Sequence, residues 1–458
     1  MKKPASSMIV ICIAVLFAGL AFGAGNHADR VKGPFTSGPE VTKACLQCHE
    51  KQAKDFMKTV HWTWETTQDV PGKGKAAIGK KGSINNFCIS IASNWPRCTS
   101  CHAGYGWKDA TFNFSEASNV DCLICHDTTG KYKKEQKSAG NPDPAVNLLE
   151  AAQNVGKPNR ANCGACHFFG GGGDHIKHGD LDSSMTNPKR TYDVHMGIDG
   201  VNMACQGCHQ TQNHDIPGQA MSVSVGEGQR VECGGCHGAA PHKEDRLNKH
   251  TATVACQTCH IPTFAKDEAT KMWWDWSKAG DKERKPKEDE NDMEDYAAIK
   301  GEFKWAKNVV PTYGWYNGKS ERYLFGEKID PKKIVYITKP IGSIKDKNSR
   351  IYPFKVMGGK QPHDSKNNYL VTPNTFGGYW KHMDWQKAIT DGMAASGLAY
   401  SGSYGFVETK MFWRINHMVV PKDQALKCTD CHGPKGRLNW KELGYKGDPR
   451  KVGARKAK

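Results

Sequence analysis

The stretch Cys98-Thr99-Ser100-Cys101-His102 contains the pattern that decides how this chain folds, C-x-x-C-H. The same five-residue pattern occurs eight times in the 458 residues. Two thiols separated by two residues can add to the vinyl groups at one edge of a porphyrin, and the adjacent histidine then lies beneath the iron as its proximal ligand. Eight copies of the pattern therefore predict eight covalently attached haems of the c type.

Almost all of the 18 cysteines belong to these motifs. The motif cysteines are Cys45, Cys48, Cys98, Cys101, Cys122, Cys125, Cys163, Cys166, Cys205, Cys208, Cys233, Cys236, Cys256, Cys259, Cys428 and Cys431. Only Cys12 and Cys88 lie outside them. Disulfide frameworks and zinc sites also use paired cysteines, but neither needs a histidine directly after every pair.

The N-terminus has the features of a signal peptide. Lys2 and Lys3 precede an apolar stretch, and residues 21–23 are Ala-Phe-Gly, which suits signal peptidase cleavage. We therefore expect residues 1–23 to be removed and the protein to be exported to the periplasm. An uncleaved anchor is the alternative, but the apolar stretch is short for a membrane span.

The formal net charge of +17 does not by itself indicate a nucleic-acid partner. Haem propionates offset much of this charge, and lysine and arginine are their natural partners. A remaining positive surplus favours a small anionic substrate. No other sequence feature suggests binding to nucleic acid.

The motif spacing predicts three regions after the signal peptide. Residues 24–262 carry seven motifs, residues 263–425 carry none, and residues 426–458 hold the eighth motif and a tail. We expect a multihaem cytochrome c fold, mainly α with much loop and little β, in which stacked haems form the core. In the motif-free region, residues 333–338 and 350–357 are predicted as short strands and residues 384–396 as a helix.

The histidines outnumber the motifs, so distal ligands can be proposed from the 19 present. The predicted proximal ligands are His49, His102, His126, His167, His209, His237, His260 and His432. The predicted distal ligands are His61, His178, His195, His214, His242, His250 and His417. His27, His175, His363 and His382 are expected to be bystanders, so one of the eight irons lacks a distal histidine.

Three stretches resemble the octahaem tetrathionate reductase family of periplasmic cytochromes. They read NFCIS at 86–90 followed by NWPRCTSCHAGYGW at 94–107, GGGGDHIKHGDLD at 170–182, and NHMVVP at 416–421. The resemblance implies that the haem of Cys98, Cys101 and His102 is catalytic, with Lys177 as its distal ligand. It further implies that Cys88 lies near that haem and that Asn85 and Asp174 line the same pocket.

These expectations define a periplasmic octahaem oxidoreductase that reduces tetrathionate to thiosulfate and receives electrons from a periplasmic or membrane-attached cytochrome. Nearby positive charge is expected to favour the Cys88 thiolate. Reduction of nitrite or hydroxylamine at the same haem is one alternative. A non-catalytic multihaem electron carrier is the other.

Overall fold

The computed structural model describes residues 26–170, 172–220 and 231–455. The predicted signal peptide, residues 1–23, lies outside the described residues. Among the described residues, no helix is both long enough and apolar enough to cross a bilayer. Helix accounts for 27% and strand for 19% of the described residues.

The helices are short, with two exceptions of 19 and 12 residues. They are α1 (His27–Arg30), α2 (Gly38–Phe56), α3 (Val60–Thr63), α4 (Trp95–Cys98), α5 (Leu123–His126), α6 (Leu148–Gln153), α7 (Arg160–His167), α8 (Cys205–Cys208), α9 (Gly234–His237), α10 (Asp245–His250), α11 (Cys256–His260), α12 (Trp380–His382), α13 (Trp385–Ser396), α14 (Cys428–Cys431) and α15 (Pro449–Val452). Single turns of 3₁₀-helix lie at Thr99–Cys101, Ala117–Asn119, Ser183–Thr186, Trp276–Lys278 and Lys422–Gln424, and a π-turn at Thr375–Tyr379.

Most motifs coincide with one of these short helices. A single turn is what the motif needs, since it brings both cysteines and the histidine to one side of the chain. The 19-residue helix α2 carries the first motif and has Pro39 in its first turn, where a missing N–H costs nothing. Helix α7 carries the fourth motif and begins with a reciprocal capping box between Asn159 and Asn162.

The strands form a two-stranded hairpin and one large sheet. They are β1 (Thr66–Val70), β2 (Gly74–Ile78), β3 (Thr270–Asp275), β4 (Tyr296–Ala297), β5 (Gly301–Ala306), β6 (Thr312–Tyr316), β7 (Ser320–Arg322), β8 (Val335–Pro340), β9 (Arg350–Asp364), β10 (Tyr369–Leu370) and β11 (Tyr404–Arg414). The nine-stranded sheet has the order β4-β5-β3-β9-β11-β8-β7, with β6 and β10 also paired to β9.

The sheet is larger than the small amount of β structure expected from the sequence. Its centre is the 15-residue strand β9, which pairs antiparallel with β11 and parallel with β3. The largest apolar cluster lies on this sheet and includes Trp274, Met357 and Met411, all fully buried. The motif-free region therefore folds by ordinary apolar burial, which the low overall hydropathy had hidden.

Helix α13 packs on the same cluster. Asp384 caps its first turn by accepting a hydrogen bond from the Lys387 N–H (3.0 Å), and Gly397 ends it in the left-handed conformation. Ala388, Ile389 and other residues on one face are buried in this cluster. The predicted helix at residues 384–396 thus agrees with the structure.

Candidate functional site

Six motif histidines face the ring of a second histidine. The pairs and their ring-centroid separations are His49 with His27 (6.3 Å), His167 with His61 (6.2 Å), His126 with His214 (6.3 Å), His237 with His195 (6.0 Å), His260 with His242 (6.1 Å) and His432 with His250 (6.5 Å). In each pair the rings are too far apart to be in direct contact. The recurrence of one separation in six different local settings indicates that each pair shares a common intervening group.

An iron atom fits between such rings. Two imidazoles on opposite sides of one metal, each with a metal–nitrogen distance of about 2 Å, have ring centroids roughly 6 Å apart. His61, His195, His214, His242 and His250, five of the predicted distal ligands, lie opposite a motif histidine in this way. The side chains in these six pairs therefore suit bis-histidine ligation of haem.

The structure departs from the sequence-based expectation at His27, which the sequence predicts to be a bystander. Its ring is stacked opposite His49. Helix α1 is capped by Asn26, and the following Val31 is buried, with its carbonyl oxygen accepting a hydrogen bond from the Gln153 side chain (3.0 Å). These contacts tie down the segment around His27, so the ring has a defined position.

His417 and His178 occupy a different setting. The backbone N–H of His417 donates to the Asp180 carboxylate (2.9 Å), and its ring Nδ1 lies 3.3 Å from the same carboxylate oxygen. Burial alone would raise the pKa of Asp180, but the hydrogen bond and charge of His417 bring it to about 2. The His178 ring lies against Trp413, with centroids 5.0 Å apart, rather than opposite a described motif histidine. Ligation by these two residues stays a prediction.

The remaining histidines that were expected to be bystanders have other contacts. His175 lies between two carboxylates, 3.5 Å from Asp174 and 3.4 Å from Asp182. His363 is a buried residue of β9, and His382 is exposed at the end of α12. None of the three faces a motif histidine among the described residues.

The second motif differs from the six facing pairs. His102 is fully buried, and its Nε2 lies 2.7 Å from the Trp62 carbonyl oxygen instead of facing a second ligand. Its ring is surrounded by aromatic side chains, including Trp64 and Trp107 at 5.3 and 4.8 Å, and its Nδ1 is buried without a partner. Burial lowers the pKa of His102 to about 3. Ligation of iron by His102 and Lys177 stays a prediction.

Cys88 is held in a tight loop by Asn85. The side-chain oxygen of Asn85 accepts hydrogen bonds from the backbone N–H groups of Phe87 (3.0 Å), Cys88 (2.8 Å) and Ile89 (3.0 Å). Ile89 has a positive φ of 72°, and the Trp276 indole N–H donates to the Phe87 carbonyl oxygen (3.0 Å). Asn85 was expected to line a pocket, but its side-chain oxygen is used to shape the loop that presents the thiol.

The Cys88 thiol lies beside the glycine run at residues 170–173. A Cβ atom at Gly172 would be 3.3 Å from the sulfur, so a side chain there would crowd it. Burial raises the pKa of Cys88, while Lys300, Lys271, Arg97 and Lys80 act in the opposite direction. The sequence analysis expected nearby positive charge to favour the Cys88 thiolate. That expectation is wrong, because burial raises the pKa of Cys88 by more than the four cations lower it.

Lys177 lies near Gly170. A Cβ at Gly170 would be 3.6 Å from its Nζ. Burial, followed by repulsion from Lys80, lowers the pKa of Lys177 to about 8, and the thiols of Cys101 and Cys166 oppose this shift. Cys88 lies within electrostatic reach of Cys98, and Lys177 within that of Cys101, so both residues are near the second motif.

Asp174 anchors the loop that carries Lys177. Its Oδ1 accepts hydrogen bonds from the backbone N–H groups of His175 and Ser183, both at 3.1 Å. The His175 carbonyl oxygen in turn accepts a hydrogen bond from the Lys271 backbone N–H (3.0 Å). Asp174 was predicted to line the pocket. In the structure its carboxylate shapes the loop, and the neighbouring His175 links that loop to strand β3.

Lys271 is a basic residue near Cys88 that sequence reasoning missed. It is 2% exposed, and its Nζ lies 3.1 Å from the centroid of Phe303 and 4.3 Å from those of Trp274 and Trp305. Burial lowers its pKa to about 6. The tryptophan-rich segment at residues 272–276 was the available signal, since aromatic faces accommodate buried cations.

Two family models and one solved structure identify the kind of protein. The model described as cytochrome c bacterial matches residues 271–435, and that of cytochrome c554 and c-prime matches residues 44–127. The crystal structure of the octaheme cytochrome c from Shewanella oneidensis is 54% identical, with a TM-score of 0.89. The alignment covers 93% of this chain and 98% of that one.

The chain belongs to the octahaem cytochromes c. It therefore carries covalently bound haem c, and the count of eight follows from this match and from the eight motifs. The redox role common to multihaem cytochromes applies to this octahaem cytochrome as well. An uncharacterized protein from Archaeoglobus fulgidus is also similar, with 24% identity over 288 residues, 49% of this chain and 96% of that protein.

Proposed function

We propose that this octahaem cytochrome is a periplasmic reductase that reduces tetrathionate to thiosulfate at Cys88. The supporting observation is that Cys88, which no motif uses, lies within the electrostatic reach of Lys80, Arg97, Lys271 and Lys300. A dianion is attracted to such a group of cations, and the haems when bound supply electrons.

The proposed reaction balances with one thiol and two electrons. The Cys88 thiolate attacks a central sulfur of tetrathionate, so that a sulfur–sulfur bond to Cys88 forms and one thiosulfate leaves with the electron pair of the broken bond. Two electrons then cleave the new bond, which releases the second thiosulfate and regenerates the thiolate. The four cations offset the negative charge that accumulates on the two leaving groups.

The burial of Cys88 determines the state of its sulfur before reaction. Because burial raises the pKa of Cys88, the sulfur is protonated near neutral pH and must lose its proton before it attacks.

The test compares Cys88→Ser with the unmodified protein, using a chemically reduced dye as the electron donor. We expect tetrathionate turnover to fall by about 100-fold or more, because the serine hydroxyl is a far weaker nucleophile. Haem content and the absorption spectrum should not change. Full turnover by the variant with all eight haems present would contradict the proposal.

A matched control separates the thiol from the structure of its loop. Ser90 follows in the same loop and is buried, so Ser90→Ala alters one small side chain without touching the sulfur. We expect this variant to retain tetrathionate turnover. Nitrite and hydroxylamine should be tested with both variants, because turnover that persists in Cys88→Ser would favour reduction of nitrogen compounds independent of the thiol.

The electron donor is proposed to be a periplasmic or membrane-attached cytochrome. Failure of the protein to turn over any of the three substrates would instead support a non-catalytic electron carrier.

A further inference from the structure

The ring nitrogens that point away from the facing pairs have partners of different kinds. Nδ1 of His126 lies 2.8 Å from the Gly156 carbonyl oxygen, and Nδ1 of His250 lies 2.8 Å from that of Arg246. Nδ1 of His242 lies 3.2 Å from the amide oxygen of Asn248. Nδ1 of His432 lies 2.6 Å from a carboxylate oxygen of Asp448. Among the six facing pairs, His432 alone has a charged acceptor at hydrogen-bond distance.

Asp448 is held firmly in this position. It caps α15, with Oδ1 accepting a hydrogen bond from the Arg450 N–H (2.9 Å), while Oδ2 accepts one from the Gly433 N–H (3.0 Å). The side chains of His432 and Asp448 are 14% and 13% exposed. Trp440 stacks on the His432 ring, with centroids 5.2 Å apart and planes inclined by 18°. Because backbone groups fix the carboxylate and the indole covers the ring, the contact is both rigid and shielded from water.

A carboxylate in this position changes the imidazole as a ligand. When Nε2 binds iron, Nδ1 keeps its hydrogen and donates it to the carboxylate. The negative acceptor draws the proton outward, so the ring becomes a stronger electron donor to the metal. A neutral carbonyl does the same to a smaller extent, because hydrogen bonds to ionised acceptors are stronger. Electron donation stabilises ferric over ferrous iron and so lowers the reduction potential.

We infer that Asp448 is a positioning residue that lowers the reduction potential of the haem attached to Cys428 and Cys431. Its effect sets this haem apart from the haems of the His126–His214 and His242–His260 pairs, in which the outward nitrogens of His126 and His242 donate to neutral oxygens. The haem of the eighth motif is thereby a stronger reductant than it would be with a neutral acceptor. The inference concerns the holoprotein and does not depend on which substrate is reduced at Cys88.

The test is a spectroelectrochemical titration of the full holoprotein and of Asp448→Asn. We expect one of the eight reduction potentials to shift upward in the variant and the other seven to remain in place. The electron paramagnetic resonance spectrum of the oxidised protein should show a changed g-value spread in one low-spin signal, because ligand basicity alters that spread. Haem staining and absorbance confirm that eight haems are attached.

The matched control is Asp430→Asn, which removes the same charge from the same motif. The Asp430 carboxylate accepts a hydrogen bond from the Lys427 backbone N–H (2.6 Å) instead of contacting His432. We expect this variant to shift the potential much less. Asp448→Glu, which keeps a carboxylate acceptor, should shift it less than Asp448→Asn does.

Two results would overturn the inference. One is that Asp448→Asn leaves all eight potentials and every low-spin signal unchanged. The other is that Asp430→Asn shifts the same potential equally, since charge alone would then account for the effect. If Asp448→Asn loses a haem, Asp448→Ser replaces it in the comparison, because a hydroxyl is also a neutral acceptor that can cap α15.

Discussion

The haem-motif region, residues 26–262, and the sheet region, residues 270–414, are held together differently. Apart from α2, the helices of the haem-motif region span at most eight residues, and its histidine rings face each other across separations of 6.0–6.3 Å within the region. In the sheet region, strands pair over up to eleven consecutive residues, and side chains such as Met357 and Met411 are fully buried. The haem-motif region is organised around covalently attached haem. The sheet region is held together by backbone hydrogen bonds between strands and by buried apolar side chains.

Loss of haem attachment is the most severe way to test this difference. In protein produced by a host that does not attach haem, we expect backbone amides of the haem-motif region to exchange with solvent rapidly. Amides of β11 and of the part of β9 paired with it, residues 354–364, should stay protected, because the two strands bond to each other over eleven residues. Ile351, at the start of β9, accepts a hydrogen bond from the motif residue Thr258 and is expected to lose protection. Hydrogen exchange measured by mass spectrometry distinguishes the two. Equal loss of protection in both regions would show that the sheet, too, depends on haem.

A truncation in the sheet core should have the next largest effect. Phe354 is fully buried between Tyr352 and Phe412, so Phe354→Ala is expected to lower the free energy of unfolding by about 3–5 kcal/mol. The haem absorption bands of the folded protein should not change. Denaturant unfolding measures the loss, with Val310→Ala as the control, since Val310 is 49% exposed. A cost as small as that of the control would mean that apolar packing does not stabilise the sheet.

Lys355 tests the contact between the two regions. It is fully buried in β9, and its Nζ donates to the Ile176 carbonyl oxygen (2.7 Å) and the Thr270 hydroxyl (2.6 Å). Burial lowers its pKa to about 7, against the opposing effect of Asp180 and Asp182. Between pH 7 and the ordinary lysine range, the unfolded chain therefore binds a proton that the folded protein does not.

The free energy of unfolding should consequently rise with pH across this window, by about 1–3 kcal/mol, and the penalty should be fully present below pH 7. Lys355→Met removes the titrating group, so its unfolding should depend less on pH over the same interval. Thermal unfolding of both proteins at pH 6, 7.5 and 9 provides the comparison. Parallel pH curves would indicate that Lys355 stays charged in the folded protein.

The smallest effect concerns the reactivity of one thiol. Because burial raises the pKa of Cys88, its alkylation by iodoacetamide should be slower at pH 7 than that of a free cysteine. The rate should increase as the pH is raised further above neutrality, with no change in stability. Mass spectrometry of the modified peptide follows the reaction, and the same peptide in denatured protein is the reference. A rate that is already maximal at pH 7 would instead reveal a stable thiolate.

Short-range sequence patterns were sufficient to predict several of the strands and helices in the sheet region. The predicted strands at residues 333–338 and 350–357 correspond to β8 and β9, and the predicted helix at 384–396 to α13. The extent of β9 was missed because Gly358 and Gly359 interrupt its β-branched pattern. These glycines are needed by the packing: a Cβ at Gly358 would be 2.5 Å from the Trp273 ring. Such a requirement depends on a strand far away in sequence.

In the candidate site, too, some residues could be predicted from the sequence and others could not. Counting motifs and spare histidines led to five residues that do lie opposite motif histidines, because ligand residue type and number are properties of the sequence. His27 was missed since its position depends on the burial of Val31, and Lys271 since its aromatic neighbours come from both β3 and β5. The orientation of His102 and the net effect of burial on Cys88 are set by tertiary packing, which no local pattern reports.

The order of the motifs along the chain has a consequence for how the protein is made. His250 is synthesised early, but its partner His432 follows the entire sheet region. The segment before the last motif also returns to the early chain, with the Leu426 N–H donating to the Cys259 carbonyl oxygen (2.9 Å). The eighth haem site can therefore form only after the whole sheet region has been synthesised. A chain that ends before residue 428 contains seven motifs, and His250 then lacks the histidine that it faces.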